Sequence, residues 1–315
     1  GGTITLTGAN LILNGNLNTG SGNVTLKPSG SLTVGVGTGT GSFSVSDAEI
    51  DKVTTTGTLT IGKAAAGALD FNAVTADAKH LTLQSGAAIT GGTLSTTGDL
   101  NLTTGGGAVT LSNSLTGLCK LTVNASGVVS LSQVTTNSGG IDVTGSGITL
   151  TNNLSTDVGA TAGAVSLTGP VTLAADVTID SDSTNDANIS FSSTVNADSA
   201  ANNRTLTLNA GAGGDIGVTG AVGGSQALQT FTVTEADDVT LPAMTVGSGG
   251  INVTASGTGS LITLTGAITT AAGNGAITLS AGSTDNGQFI MNTGSSIAAG
   301  AGAITLMGDV LTFDN

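Results

Sequence analysis

The chain has 315 residues with 51 Gly, 6 Phe, no Trp, no Tyr, only 8% charged residues and a formal net charge of −14. With 6 basic residues it lacks the Lys and Arg that displace counterions from nucleic acid, and an anionic membrane surface is disfavoured for the same reason. No apolar run reaches the ~18 residues needed to span a bilayer.

The first stretch already carries the unit that recurs. Gly2-Thr3-Ile4-Thr5-Leu6-Thr7 alternates aliphatic and hydroxyl residues, so in an extended strand Ile4 and Leu6 share one face and the threonines the other. The spacing predicts half-buried strands with hydroxyls outside, repeated at Val24/Leu26, Phe43/Val45, Leu59/Ile61, Leu81/Leu83 and Leu100/Leu102, every 16 to 22 residues. Shorter strands are expected between them, at Asn10-Leu11-Ile12-Leu13 and Ser31-Leu32-Thr33-Val34, punctuated by Asn14-Gly15, Lys27-Pro28-Ser29-Gly30 and similar turns. No helix is convincing: the best candidate, Lys63 to Leu69, is Ala-rich but follows Gly62 and contains Gly67. Leu121/Val123, Ile141/Val143 and Val165/Leu167 continue the pattern to Thr168. From Gly169 onward the spacing lengthens through Ile189/Phe191, Leu206/Leu208, Phe231/Val233, Ile251/Val253, Ile277/Leu279 and Ile304/Leu306. Polar insertions at 180–186 and 197–203 supply the extra length. The end, Val310-Leu311-Thr312-Phe313, is another alternating strand.

A strand of this kind cannot bury its apolar face alone, so many in series imply stacking. A hydrophobic fraction of 38% without large aromatics suits a narrow interior of Val, Leu, Ile and Ala rather than a thick globular core. High Gly can signal disorder, but the alternating aliphatic positions and a positive mean hydropathy of +0.33 argue against it outside loops. Paired strands around two-residue Asn-Gly turns, which an antiparallel sandwich would use, are not evident. The expectation is an all-β fold, a right-handed parallel β-helix of roughly fifteen coils of about 20 residues and on the order of 70 Å long. One continuous β-helix over 1–315 is expected, with regular coils over 1–168 and longer, loop-bearing coils over 169–315. Its open ends, marked by Ile4 and Leu6 and by Val310, Leu311 and Phe313, leave backbone groups unpaired and invite end-to-end stacking. The start at Gly1, with no signal-like segment after it, is expected to mark a processed chain or a piece of a longer one.

Ser46-Asp47-Ala48-Glu49-Ile50-Asp51-Lys52-Val53, followed by Gly57-Thr58-Leu59-Thr60-Ile61-Gly62, resembles a repeat in large secreted bacterial exoproteins of the filamentous haemagglutinin type. Gly139-Gly140-Ile141-Asp142-Val143 and Gly249-Gly250-Ile251-Asn252-Val253 are in the same style. The motif itself covers about 46–70, and the composition most of the chain. The resemblance implies an extended right-handed β-helix, export by a Gram-negative bacterium, and a role in adhesion or surface filaments. The amino-terminal secretion domain of that family is not in this chain.

The titratable residues are few. Paired carboxylates for glycoside cleavage would stand ~5–9.5 Å apart; Glu49 and Asp51 are expected on one strand face with Lys52 as their near cation, and Asp237 and Asp238 on opposite faces. His80 is the sole histidine and Arg204 the sole arginine, so no hydroxyl has an evident base. Catalytic, cofactor-binding and metal residues are expected to be none. Cys119 is the only cysteine, so it forms no intrachain disulfide and reads as a small packed residue. The 180–186 loop offers oxygen ligands, but Phe191 stands where a calcium loop has its bidentate Glu, and a solvated loop is expected. Gly213-Gly214-Asp215-Ile216 resembles one calcium nonapeptide without iteration. Asn23, Asn101, Asn124, Asn188 and Asn252 begin Asn-x-Ser/Thr triplets, which chance explains.

The leading expectation is an extracellular structural and adhesive rod or filament subunit at a bacterial surface, with self-association or a longer chain as its partner and a surface glycan or protein as receptor. A carbohydrate-binding or carbohydrate-cleaving β-helix acting through loops 180–230 is the alternative. Ice binding through Thr-x-Thr pairs such as Thr3/Thr5/Thr7, Thr58/Thr60 and Thr263/Thr265 is a further one, set back by Ser42/Ser44 and Asn101.

Overall fold

The computed structural model describes residues 1–201, 203–282 and 286–314. The chain is all-β, built of parallel strands stacked as a β-solenoid of about 13 turns. It divides into two compact units, Gly1–Ile148 and Thr149–Asn315, whereas the change in coil length falls at 168.

In the first unit each regular coil lays down three strands. The principal ladder runs in register through Ile4, Val24, Leu59, Leu81, Leu100, Leu121 and Ile141. A second ladder joins Phe43–Val45, Val34–Gly37, Leu69–Asn72, Ile89–Gly91, Val109–Leu111 and Val128–Leu131. A third passes through Val74, Leu94, Leu115 and Val134. Nearly every inward aliphatic on them is buried, including Val24, Leu26, Leu59, Ile61, Leu81 and Leu83. Each such side chain contributes ~1.5–3 kcal/mol of burial, and only because the next coil covers it.

The second unit repeats the plan. One ladder follows Val165, Ile189, Ile216, Val239, Ile262, Phe289 and Leu311. Another follows Leu154, Ile179, Leu208, Val233, Val253, Leu279 and Leu306. A shorter third contains Val171–Leu173, Val195–Ala197, Ala267–Thr269 and Ser296–Ala298.

This distribution explains why about 13 turns form instead of fifteen. Counting one aliphatic pair per coil treats every pair as a member of one ladder. Phe43–Val45 instead pairs with Val34–Gly37, only nine residues earlier, so the principal ladder steps directly from Val24 to Leu59. Asn10 to Leu13 forms no strand.

Two further expectations are corrected. Asp47–Asp51 is a short α-helix rather than a strand, so Glu49 and Asp51 do not share a strand face. Ser46 precedes it in extended conformation, and Glu49 Oε2 accepts from the Ser46 N–H at 2.9 Å and its hydroxyl at 2.8 Å. This is the reach-back that favours a helix start. Hydroxyls are also not confined to the outside. Thr19, Ser85, Thr96, Thr104, Thr156, Ser181, Ser260 and Thr270 are buried. Each donates to a backbone carbonyl, as Thr104 does to Gly107 at 2.7 Å and Thr156 to Gly163 at 2.6 Å. At a corner the ladder is interrupted, and an inward hydroxyl satisfies the carbonyl left over.

Each unit contains one strand pair that rounds a corner without breaking. Leu115–Asn124 pairs with Val134–Thr144, and Leu228–Glu235 with Met244–Ala255, each with register shifts. Gly140 (φ 79°) and Gly250 (φ 81°) stand at the shifts, in the left-handed conformation that a bulge asks of glycine. The two pairs share their sequence pattern at a constant offset: Leu118, Leu121, Leu131 and Ile141 match Leu228, Phe231, Leu241 and Ile251.

Candidate functional site

Several of the carboxylates accept backbone N–H groups. Asn188 Oδ1 accepts the N–H of Asp215 at 2.9 Å, Asp215 Oδ1 that of Asp238 at 3.3 Å, and Asp238 Oδ1 that of Leu261 at 2.8 Å. Each clamp holds the same corner of the next coil. Equivalent clamps join Asn23 to Thr58, Asn153 to Thr178, Asp176 to Thr205, Asn72 to Thr93 and Asn274 to Ala301. Asp47 and Asp70 take the N–H groups of Thr75 at 2.6 Å and Thr40 at 2.7 Å. A corner N–H has no ladder partner, and an Asn or Asp reaching from the neighbouring coil replaces it. The signal was present in the sequence as Asn or Asp immediately before an aliphatic strand residue: Asn23-Val24, Asn188-Ile189, Asp215-Ile216 and Asp238-Val239.

Asp237 and Asp238 lie in the turn before Val239–Leu241, not on opposite faces of a strand. Burial pushes the Asp237 carboxyl above the usual carboxylate range, with the charges of Asp238 and Asp215 adding to it.

The 180–186 insertion folds onto itself. Ser181 donates to Ala187 O at 2.6 Å, and Asp186 accepts from the N–H groups of Ser183 at 3.0 Å and Gly213 at 2.9 Å. Asp180 is raised by burial first and by the charges of Asp157 and Asp182, against bonds from the Asp182 N–H and Asn209. Among the described residues, no group of three His, Cys, Asp or Glu side chains is disposed to hold a metal ion. Asn202, within the 197–203 insertion, lies outside the described residues. Arg204 closes that insertion with two bonds of 3.0 Å to Asp198. Phe191 and Phe231, the aromatic residues between 180 and 231, are buried, so neither offers a ring face to a sugar.

His80, Asp99 and Cys119 come together on successive coils. His80 Nδ1 lies 3.1 Å from Asp99 Oδ2, while burial pushes the Cys119 thiol up, reinforced by Asp99 and partly offset by the Gly139 N–H. Asp99 stands between the other two, so the imidazole is not placed to deprotonate the thiol, the arrangement nucleophilic catalysis requires. An open groove of about 370 Å³ adjoins His80, lined by Asp51, Thr54, Thr56, Asp77 and Lys79.

The terminal strands differ. Ile4 and Leu6 are half-buried. Leu13, in the segment that follows them, is gripped at both backbone groups: its N–H reaches Glu49 Oε1 at 3.0 Å, and Lys52 Nζ donates to its carbonyl at 2.7 Å. In the second unit Val310, Leu311 and Phe313 remain 49, 43 and 50% exposed, with Ile304 and Met307 beside them also exposed. Phe313 packs tilted on Phe289 at 5.9 Å. Of the acceptor triplets, Asn23 and Asn188 are engaged as clamps. No helix among the described residues is long and apolar enough to cross a membrane.

No family model, curated protein or solved structure matches this chain.

Proposed function

We propose that the chain is a structural, adhesive β-solenoid of the filamentous-haemagglutinin-like type, working outside the cell as a rod or filament element without a catalytic role. The observation that carries this reading is the use of the acidic and amide side chains. A number of them hold coil to coil, as Asn188, Asp215 and Asp238 do, and among the described residues no three acidic side chains are gathered where a cation could sit. A solenoid so stapled resists unravelling because each coil is held by ladder bonds, apolar burial and corner clamps together.

The apolar strand edge at Ile304, Met307, Val310, Leu311 and Phe313 is the surface through which we propose that another coil of the same kind continues the stack. Electron microscopy of the purified chain tests this. Thin filaments that disappear in a Leu311→Asp/Phe313→Asp variant support self-stacking; isolated particles at all concentrations, with and without the substitutions, overturn it. Turnover of neutral or acidic polysaccharides, abolished by substitution within 180–230, would replace the structural reading with the carbohydrate one.

A further inference from the structure

On the outer face of the second unit, one column of side chains is almost wholly threonine. The ladder registers Thr178 with Thr207, Thr207 with Thr232, Thr232 with Asn252, Asn252 with Thr278 and Thr278 with Thr305. Five of six successive positions are therefore Thr, on strands that are neighbours in space but 20 to 29 residues apart in sequence. Thr205 and Thr230 pair with each other on one side of this column, and Thr254 with Ser280 on the other. Two of its members end Thr-x-Thr pairs, Thr205/Thr207 and Thr230/Thr232, whereas Thr58/Thr60 and Thr263/Thr265 lie on other ladders.

Four properties bear on what this face can bind. Its repeat is fixed by the backbone, ~4.8 Å between parallel strands and ~6.6 Å between alternate residues of one strand. Thr is β-branched and stiff at χ1, so its hydroxyl and methyl are held in place before anything binds, which lowers the ordering cost of binding. Among the described residues, the hydroxyls of Thr178, Thr207, Thr232, Thr278 and Thr305 bond no protein atom. Charge is confined to the margins, at Asp176 beside Thr205 on one side and at Asp180 and Glu235 on the other, the last held by Ser256 at 2.9 Å. The corresponding column of the first unit, Thr5, Thr25, Thr60, Thr82, Asn101 and Thr122, is as rich in Thr, but it runs on to Asp142 and is flanked by Lys27, His80 and Asp99.

A neutral, rigid lattice of hydroxyls and methyls suits a partner that is itself neutral, periodic and hydrogen-bonding. Charged side chains oppose such a partner, because seating them against it strips their hydration without compensation. We propose that the Thr178–Thr305 column is a binding face for ordered water at an ice surface, its two spacings lying close to the oxygen repeats of ice. The inference goes beyond the structural role and stands whether or not the chain forms filaments.

The test is the gap between freezing and melting points of a single ice crystal in the purified chain, with crystal shape recorded alongside. The unmodified chain is expected to open the gap and facet the crystal. A Thr207→Lys/Thr232→Lys variant is expected to lose both, while Thr82→Lys, on the first unit's column, keeps them. Circular dichroism confirms that each variant remains β-structured, and Thr278→Lys serves if the double variant unfolds. No gap in the unmodified chain, an unchanged gap in the folded double and Thr278→Lys variants, or its loss in folded Thr82→Lys, overturns the proposal.

Discussion

Glu49 accepts the backbone N–H of Leu13 through Oε1 at 3.0 Å, although thirty-six residues separate them. Its second oxygen binds Ser46 at the start of the short helix, and Lys52 at the helix end takes the Leu13 carbonyl. The 46–52 stretch is thus a clip, which holds the segment following the first strand against the coil that comes after it.

Breaking the clip has a calculable cost. Glu49→Ala removes an acceptor serving three donors, Leu13 N–H, Ser46 N–H and the Ser46 hydroxyl, and is expected to destabilise by about 1–3 kcal/mol. Chemical denaturation of the first unit's signal checks it. Glu49→Gln, which can still accept, should lose less.

The acid response has opposite contributions. Burial acts to raise Glu49, but the bonds from Leu13 and Ser46 and the Lys52 charge outweigh it, so its carboxyl sits below the usual range. Its folded value being depressed, its contribution is present above the unfolded value of about 4.3 and is lost as pH falls through the folded one. Asp180 and Asp237 are raised. Each therefore favours the folded state most below its unfolded value of about 3.9, and that advantage fades as pH rises through the folded value. Replacing Asp237 by Asn should flatten the pH dependence of stability above about 3.9, and replacing Glu49 by Gln should flatten it below about 4.3. Thermal melts from pH 3 to 7 read both changes, and unchanged slopes count against these assignments.

The glycines at the bulged strand pairs are held by geometry. A Cβ on Gly250 would lie 2.3 Å from the Ala276 carbonyl oxygen, at a φ of 81°. Gly250→Ala is expected to cost about 1–3 kcal/mol. At Gly2, where a Cβ meets nothing within 4 Å, Ala is expected to change the denaturation midpoint little.

Cys119 should be a sluggish nucleophile. Burial and the neighbouring Asp99 keep its thiol protonated beyond the ordinary range, and the thiolate is the reactive form. Alkylation by iodoacetamide at neutral pH is expected to be slower than that of a free thiol, and Asp99→Asn to accelerate it. Equal rates in the two proteins would remove Asp99 from the explanation.

The corner clamps give the broadest stability prediction. Asp238→Ala leaves the Leu261 N–H without its acceptor at 2.8 Å, for a loss of about 1–2 kcal/mol in unfolding free energy. Asp238→Asn retains an acceptor and relieves the charge beside Asp215 and Asp237, so it should melt above the Ala variant.

Alternating Ile4, Leu6, Val24 and Leu26 determined by themselves that the chain forms half-buried strands, and the lack of large aromatics determined that they enclose a narrow core. Alternation is a local property, written in neighbouring residues and fixed by the pleat. Only the tertiary structure decided how strands are shared among ladders, because register depends on loop length and on which corner N–H finds an Asn or Asp. That is why Phe43–Val45 lies beside Val34–Gly37, and why His80 meets Asp99. It is also why Thr178, Thr207, Thr232, Thr278 and Thr305 stand in one line, although no two of them fall within one strand. Residues 20 or more apart become neighbours only through stacking, and stacking is settled by the free energy of the whole coil rather than by any one segment.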